Sequence, residues 1–155
     1  MTGGSGFTGS YLVPELELRG CEVICFEGEI ADPAAIRSAV AQARPDRVIH
    51  LAAITFIGSD DFEAFYRVNQ IGTFHLLDAV AKAAPTAHVL IASSANIYGN
   101  GTAGYLDEAT PPNPANHYAV SKWAMECGAR LWGDRLHITV TRPFNYTGAG
   151  QSDSF

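Results

Sequence analysis

Apolar residues recur along the chain with two different periods, which predicts a succession of helices and strands. Steps of three and four mark four helical segments, and shorter runs rich in strand-forming residues lie between them. The predicted helices cover residues 10–19, 33–43, 60–84 and 117–131. The predicted strands cover residues 21–26, 48–53, 89–92 and 137–142. Strands that alternate with helices predict an α/β fold with a parallel sheet covered on both faces.

Length and composition fit one domain over residues 1–155. The chain is 47% hydrophobic and 17% charged, which suits a globular protein with a single core. Its net charge of −6 argues against a basic face, so we expect no nucleic-acid partner. No apolar run is long enough to span a bilayer, and the three cysteines lack metal-ligand spacing. We therefore expect a cytoplasmic protein that binds neither a membrane nor a metal.

The glycine-rich segment ahead of the first predicted helix is typical of a phosphate-binding turn. Gly3, Gly6 and Gly9 would permit a tight turn, close backbone approach to a pyrophosphate, and close packing of the helix on the sheet. The helix N-terminus would offer N–H groups to the phosphates. Glu27 follows a predicted strand, where a carboxylate can accept hydrogen bonds from a ribose. A solvated surface turn with an exposed glutamate is the simpler alternative.

Three side chains suggest acid–base chemistry at an alcohol or carbonyl oxygen. Tyr118 and Lys122 are four residues apart on a predicted helix and so share a face, and Ser94 follows a buried strand. Ligands of parallel sheets gather at the carboxyl ends of strands. A neighbouring ammonium lowers the pKa of a phenol, and a hydroxyl can hold the substrate oxygen. We therefore expect these groups to serve hydride transfer at a secondary carbinol carbon.

Five segments, in this order, resemble the extended short-chain dehydrogenases/reductases of the nucleotide-sugar epimerase/dehydratase group. They are residues 2–9, 50–53, 93–99, 118–122 and 142–145. The resemblance implies a Rossmann-type doubly wound sheet that binds NAD(P), with Ser94, Tyr118 and Lys122 as catalytic residues. It also implies a homodimer.

The same resemblance assigns binding residues. The implied cofactor contacts are Gly3, Gly6, Phe7, Thr8, Gly9, Glu27, Glu29, Ile30, Leu51, Ala52, Ala53, Tyr118 and Lys122. The implied substrate contacts are Ser94, Asn96 and Asn145. No arginine follows Glu27 closely enough to suggest a 2′-phosphate site, which favours NAD(H) and leaves NADP(H) open.

The residues after Ser94 narrow the expected reaction. In the 4,6-dehydratases of this group, the residues that follow the catalytic serine or threonine include a carboxylate. This chain has Ala95 and Asn96 at those positions. An amide cannot take a proton at neutral pH, so elimination is disfavoured. Residues 142–152 are most similar to the GDP-4-keto-6-deoxy-mannose reductases. We expect reduction of a 4-keto-6-deoxy nucleotide sugar, with a GDP-sugar favoured. A nucleotide-sugar 4-epimerase and a truncated, non-catalytic dinucleotide-binding remnant are the alternatives.

The chain departs from the group at both ends and in the middle. Only Met1 precedes Thr2, and the chain stops at Phe155, so we expect a fragment without the first strand and the C-terminal substrate lobe. Glu27 and Glu29 are two residues apart, so either one strand combines two roles or a βα unit is missing.

Three polar residues lie in apolar surroundings. His50 is expected to be a packed strand histidine. Asn69 and Thr73 are expected to be core residues that bond neighbouring backbone, and the resemblance also places Asn69 near the active site.

Overall fold

The computed structural model describes residues 1–55, 61–101 and 104–151. The helices are α1 (Phe7–Leu18), α2 (Pro33–Ala43), α3 (Phe62–Phe65), α4 (Thr73–Ala83) and α5 (His117–Ala129). The strands are β1 (Arg47–His50), β2 (His88–Ala92) and β3 (His137–Thr141). A π-helical segment, Tyr66–Gly72, joins α3 to α4, and short 3₁₀ turns cover Ala95–Tyr98 and Arg130–Trp132.

Local capping explains where several helices begin and end. The Asp32 carboxylate accepts hydrogen bonds from the N–H groups of Ala34 and Ala35, and Pro33 begins α2, as its sequence predicts. The chain leaves α1 through Gly20 at φ +81°, a conformation that favours glycine. Asp61 caps α3 by accepting from Ala64 N–H. The predicted capping residue Asp60 lies outside the described residues.

The three strands form a parallel sheet in the order β1-β2-β3. Val48 pairs with Val89, and Val89 in turn pairs with Ile138. On the far side of β1, Thr2 makes single parallel bridges to both His50 and Phe26. The described sheet therefore agrees with the expected parallel α/β architecture, and Thr2 marks the place of a further strand between β1 and Phe26.

The predicted strand over residues 21–26 does not form. Only Phe26 makes a bridge, to Thr2. Phe26 N–H donates to the Met1 carbonyl at 2.8 Å, and the Met1 amine donates to the Ile24 carbonyl at 2.6 Å. A strand is stabilised by a ladder of such bonds, so strand-forming residues without a partner stay irregular.

The long predicted helix through Asn69 is continuous, but its middle is not α-helical. Seven residues, Tyr66–Gly72, follow π-helical geometry. Apolar spacing detects a helix but not one extra residue per turn within it, so the sequence prediction missed this segment. Segments of this kind are rare and often occur at functional sites.

The core lies between the sheet and the helices α2, α4 and α5. Helix α2 packs against α4, and α4 packs against α5. The fully buried side chains include Ile36, Leu77, Val89, Ile91 and Met125. This packing fixes the position of the start of α5 relative to the carboxyl end of β2. Among the described residues, no helix is both long enough and apolar enough to cross a membrane.

Candidate active site

The glycine turn packs tightly against the segment that follows β1. Gly3 has φ +73°, and a Cβ built there would lie 2.6 Å from the Ala52 nitrogen. A Cβ at Gly9 would lie 2.4 Å from the Gly3 carbonyl oxygen. Both positions therefore require glycine, the first for its backbone conformation and the second for the close approach of α1 to the turn. The structure thus brings the predicted residues Gly3, Gly9 and Ala52 together.

The N-terminus of α1 is open to a ligand on one side. Gly6 is the N-cap residue, and no side chain caps the helix there. A Cβ at Gly6 would meet only the Gly3 oxygen, at 3.4 Å. An uncapped helix end next to a glycine with free space suits the phosphates of a dinucleotide, because the backbone can come close to them. The residues present thus fit a nicotinamide dinucleotide.

Tyr146 also lies at this helix end, a contact that sequence analysis missed. Its hydroxyl is hydrogen-bonded to that of Thr8, and its ring stacks on Phe7 with centroids 6.2 Å apart. Nearby, the Tyr11 hydroxyl donates to the Ala149 carbonyl at 2.6 Å. The C-terminal part of the described chain therefore runs over the first turn of α1. No spacing rule links residues so distant in sequence.

Ser94, Tyr118 and Lys122 converge at the carboxyl end of β2. Asn116 caps α5, and its side chain accepts a hydrogen bond from Ala119 N–H at 2.8 Å. This fixes the first turn of the helix, where Tyr118 is buried and the Ser94 hydroxyl acts to lower its pKa. One turn later, the Lys122 ammonium donates to the Ala92 carbonyl at 2.7 Å. All three side chains are less than 10% exposed.

The neighbouring Ser93 is distinguishable from Ser94. It is also buried, but its hydroxyl finds no hydrogen-bond partner among the described residues. The effect on the pKa of Tyr118 therefore distinguishes Ser94 from Ser93.

The pKa of Tyr118 shifts in the direction opposite to the one expected from the sequence. Burial raises the pKa of Tyr118, an effect opposed by the Ser94 hydrogen bond and reinforced by Tyr146. Burial also lowers the pKa of Lys122 to about 8, while Glu126 acts to raise it. The pKa of the phenol is therefore raised and not lowered as expected, because desolvation is the largest contribution to its shift. Desolvation is the dominant effect on both groups.

The remaining predicted binding residues differ in their burial and in their location in the fold. Glu27 and Glu29 are exposed beyond the irregular segment 21–26. Ile30 is buried in the core and packs against Gly72. Asn96 is half-buried in the 3₁₀ turn after Ser94, and Asn145 is exposed near Tyr146. Residues 51–53, with Leu51, Ala52 and Ala53, follow β1 beside the glycine turn and are half-buried.

A buried ion pair supports the helix that carries Lys122. The Arg142 guanidinium donates to both oxygens of Glu126, with the shortest contact at 2.7 Å. Arg142 also donates to the Tyr98 hydroxyl at 2.8 Å and to the Glu108 carbonyl at 3.2 Å. The side chain therefore links the end of β3 to α5 and to the loop that follows the 3₁₀ turn.

In residues 1–55, 61–101 and 104–151, no three or more histidine, cysteine, aspartate or glutamate side chains are grouped so as to hold a metal ion.

Comparison with known proteins identifies sequence relatives of this chain. The chain is 38% identical over 161 residues to GDP-6-deoxy-D-talose 4-dehydrogenase of Aggregatibacter actinomycetemcomitans. The aligned region covers 100% of this chain and 55% of that protein. It is 39% identical over 121 residues to GDP-6-deoxy-D-mannose reductase of Pseudomonas aeruginosa, covering 72% of this chain and 38% of the relative. This chain thus spans about half or less of the length of these relatives.

Structure comparison gives the same grouping. RMD from Pseudomonas aeruginosa, solved in complex with NADPH, superposes with a TM-score of 0.85 at 32% identity. The match covers 99% of this chain and 56% of that one. The Rossmann-type fold expected from the sequence is thereby confirmed. The sequence model of the NAD dependent epimerase/dehydratase family matches residues 1–155, and the chain therefore belongs to this family.

Proposed function

We propose that this chain serves NAD(P)-dependent reduction of the C4 carbonyl of a GDP-linked 4-keto-6-deoxy sugar. The observation that carries the proposal is the meeting of Ser94, Tyr118 and Lys122 at the carboxyl end of β2, the strand beside β1, whose own end packs against the glycine turn. The two relatives described above, a GDP-6-deoxy-D-talose 4-dehydrogenase and a GDP-6-deoxy-D-mannose reductase, support a GDP-sugar and a reaction at C4.

The chemistry divides between the cofactor and the chain. The bound dinucleotide would supply the hydride for the carbonyl carbon. Tyr118 would donate its phenolic proton to the carbonyl oxygen, which becomes the hydroxyl of the product. Ser94 would donate a hydrogen bond to the same oxygen and hold it against the phenol. Lys122, positively charged below its pKa of about 8, would stabilise the phenolate that remains.

The Tyr118 phenol is in the protonated form that reduction of a carbonyl requires. A phenol whose pKa lies above 10 is protonated at neutral pH and so is ready to donate. The reverse reaction, oxidation of an alcohol, would need the phenolate as a base. Desolvation by the surrounding core disfavours that phenolate.

The residues that would hold the cofactor are those of the glycine turn and the start of α1. Gly3, Gly6 and Gly9 would receive the phosphates, with Phe7 and Thr8 in the first helical turn. The exposed Glu27 would accept hydrogen bonds from a ribose diol and would repel a 2′-phosphate, which favours NAD(H). Glu29, Ile30 and residues 51–53 remain predicted cofactor contacts. Asn96 and Asn145 remain predicted substrate contacts.

The test is turnover of GDP-4-keto-6-deoxy-mannose with NADH and, separately, NADPH, followed at 340 nm and by chromatography of the products. We expect the wild type to consume reduced cofactor, and Tyr118→Phe to lose at least about 100-fold in kcat while its cofactor affinity is unchanged. Tyr105→Phe is the matched control, because Tyr105 is a fully exposed phenol.

Three other outcomes would each overturn part of the proposal. Turnover by Tyr118→Phe at the wild-type rate contradicts the assigned acid. In a separate assay with NAD⁺ and a GDP-sugar that carries a C4 hydroxyl, interconversion of the C4 epimers without net reduction of the cofactor would identify a 4-epimerase. Absence of both turnover and cofactor binding, measured by calorimetry, would identify a non-catalytic remnant. A homodimer and a cytoplasmic location remain predictions, and sedimentation velocity tests the first.

A further inference from the structure

A chain of buried hydrogen bonds begins at the glycine turn. The Thr2 hydroxyl lies 2.6 Å from His50 Nδ1, and His50 Nε2 lies 2.8 Å from the Thr73 hydroxyl. The Thr73 hydroxyl in turn donates to the Asn69 carbonyl at 2.7 Å. Thr2, His50, Thr73 and Asn69 are each no more than 3% exposed. These contacts connect the strand side of the glycine turn to the π-helical segment.

The contacts define one protonation state of the imidazole. A hydroxyl carries a single proton, and Thr73 uses it toward the Asn69 carbonyl, so Thr73 must accept from His50 Nε2–H. The neutral ring then has an unprotonated Nδ1, which accepts from the Thr2 hydroxyl. Thr2 also accepts a long hydrogen bond from Ala52 N–H at 3.4 Å. Every donor in this row therefore has one partner.

A second row of contacts continues from Asn69 to the catalytic helix. The Asn69 side chain accepts from Ile54 N–H at 2.8 Å and donates to the Ile54 carbonyl at 3.0 Å. It also donates to the Ser121 hydroxyl at 3.1 Å, and that hydroxyl donates to the Tyr118 carbonyl at 2.7 Å. The π-helical segment presents both the carbonyl and the side chain of Asn69 to the two rows.

We propose that His50 is a positioning residue whose neutral imidazole, in its Nε2–H form, sets the placement of Tyr118 relative to the glycine turn. This inference rests on the proposed function of Tyr118. An apolar side chain would fill the same space, but only a group with one donor and one acceptor on opposite sides can satisfy Thr2 and Thr73 together. The first row begins at Thr2 beside the glycine turn and ends at the Asn69 carbonyl, and the second row leads from the Asn69 side chain to the Tyr118 carbonyl.

The first measurement is independent of activity. In ¹⁵N-labelled protein, the ring nitrogens of His50 should show the Nε2–H tautomer at pH 7 and stay neutral at pH 5. The Nδ1–H tautomer, or a protonated ring at pH 5, would overturn the proposal.

The second measurement separates positioning from folding. Thr73→Val removes the hydroxyl and keeps the shape, and Thr73→Ser restores the hydroxyl. We expect Thr73→Val to lower kcat roughly 10- to 100-fold with little change in KM, and Thr73→Ser to recover most of the loss. Thr139→Val, at an exposed position on β3, is the matched control and should keep the wild-type rate. A folded Thr73→Val variant with the control's kcat would refute the inference.

Two further measurements cover the cases in which Thr73→Val does not fold or the wild type has no turnover. If Thr73→Val does not fold, His50→Asn keeps a hydrogen-bonding group near the Nδ1 position and should show the same loss of kcat. If the wild type has no turnover, the proposed function fails, and the ¹³Cζ shift of labelled Tyr118 then tests the coupling alone. That shift should differ between Thr73→Val and Thr139→Val, and identical shifts would show that no coupling exists.

Discussion

The buried imidazole of His50 predicts a specific loss of stability in mild acid. Burial, with a smaller contribution from the Lys122 ammonium, lowers its pKa from 6.5 to about 3. Between these two values the unfolded chain binds a proton at this position and the folded chain does not. Stability that is present above pH 6.5 is therefore lost as the pH falls toward about 3.

The magnitude follows from the same two pKa values. One pH unit inside this window corresponds to about 1.4 kcal/mol, so lowering the pH from 7 to 5 should cost about 2 kcal/mol of unfolding free energy through His50 alone. Other histidines and the carboxylates add their own pH dependence, which a comparison of variants removes.

The assay is urea unfolding at pH 7 and pH 5, followed by fluorescence of Trp123 and Trp132. His50→Asn lowers the stability at both pH values, but its loss between them should be about 2 kcal/mol smaller than that of the wild type. Thr139→Val, at an exposed position on β3, changes no titratable group and should keep the wild-type pH dependence. Equal losses for wild type and His50→Asn would refute the argument that this imidazole is neutral because it is buried.

Three more predictions follow from other contacts. Gly9→Ala would bring a Cβ to within 2.4 Å of the Gly3 oxygen, so we expect it to lower the melting temperature and to abolish calorimetric binding of NADH and NADPH; binding at the wild-type affinity would contradict the described turn. Because burial lowers the pKa of Lys122 from 10.5 to about 8, the unfolded chain binds more protons in this window and stability rises with pH. From pH 7.5 to pH 9.5 the wild type should gain about 1–2 kcal/mol relative to Lys122→Met in urea unfolding, and parallel curves would argue against a desolvated ammonium. Glu126→Gln leaves the largely buried Arg142 guanidinium without its carboxylate, and we expect a loss of about 3 kcal/mol in the same assay, whereas Glu15→Gln, in an exposed pair, should change little.

Short-range signals in the sequence were sufficient for most of the fold. Asp32-Pro33 marks the start of α2, Gly20 follows the end of α1, and the apolar run around Val89 marks β2. Each of these features depends on residues within a few positions of one another. The convergence of Ser94, Tyr118 and Lys122 follows from the same rules, because strand ends and helix starts of a parallel sheet meet at one edge.

The features that the sequence did not predict depend on contacts between distant residues. Residues 21–26 have the composition of a strand, but the number of paired partners decides whether a ladder forms. Tyr146 approaches Thr8 only because β3 returns the chain to the start of α1. The pKa of Tyr118 depends on how deeply the core encloses it, which a spacing of four residues from Lys122 does not report.

The π-helical geometry of Tyr66–Gly72 makes the helix sensitive to the number of its residues rather than to their identity. Deleting one residue there would let the backbone return to ordinary α-helical hydrogen bonding, at a local gain in regularity. An α-helical residue advances the chain by about 100°, and a π-helical residue advances it by less, so the shortened helix would keep α3 in nearly the same orientation relative to α4. The wider turn that presents both the carbonyl and the side chain of Asn69 would be lost. A one-codon deletion at this point would therefore disturb the contacts of Asn69 more than the packing of α3.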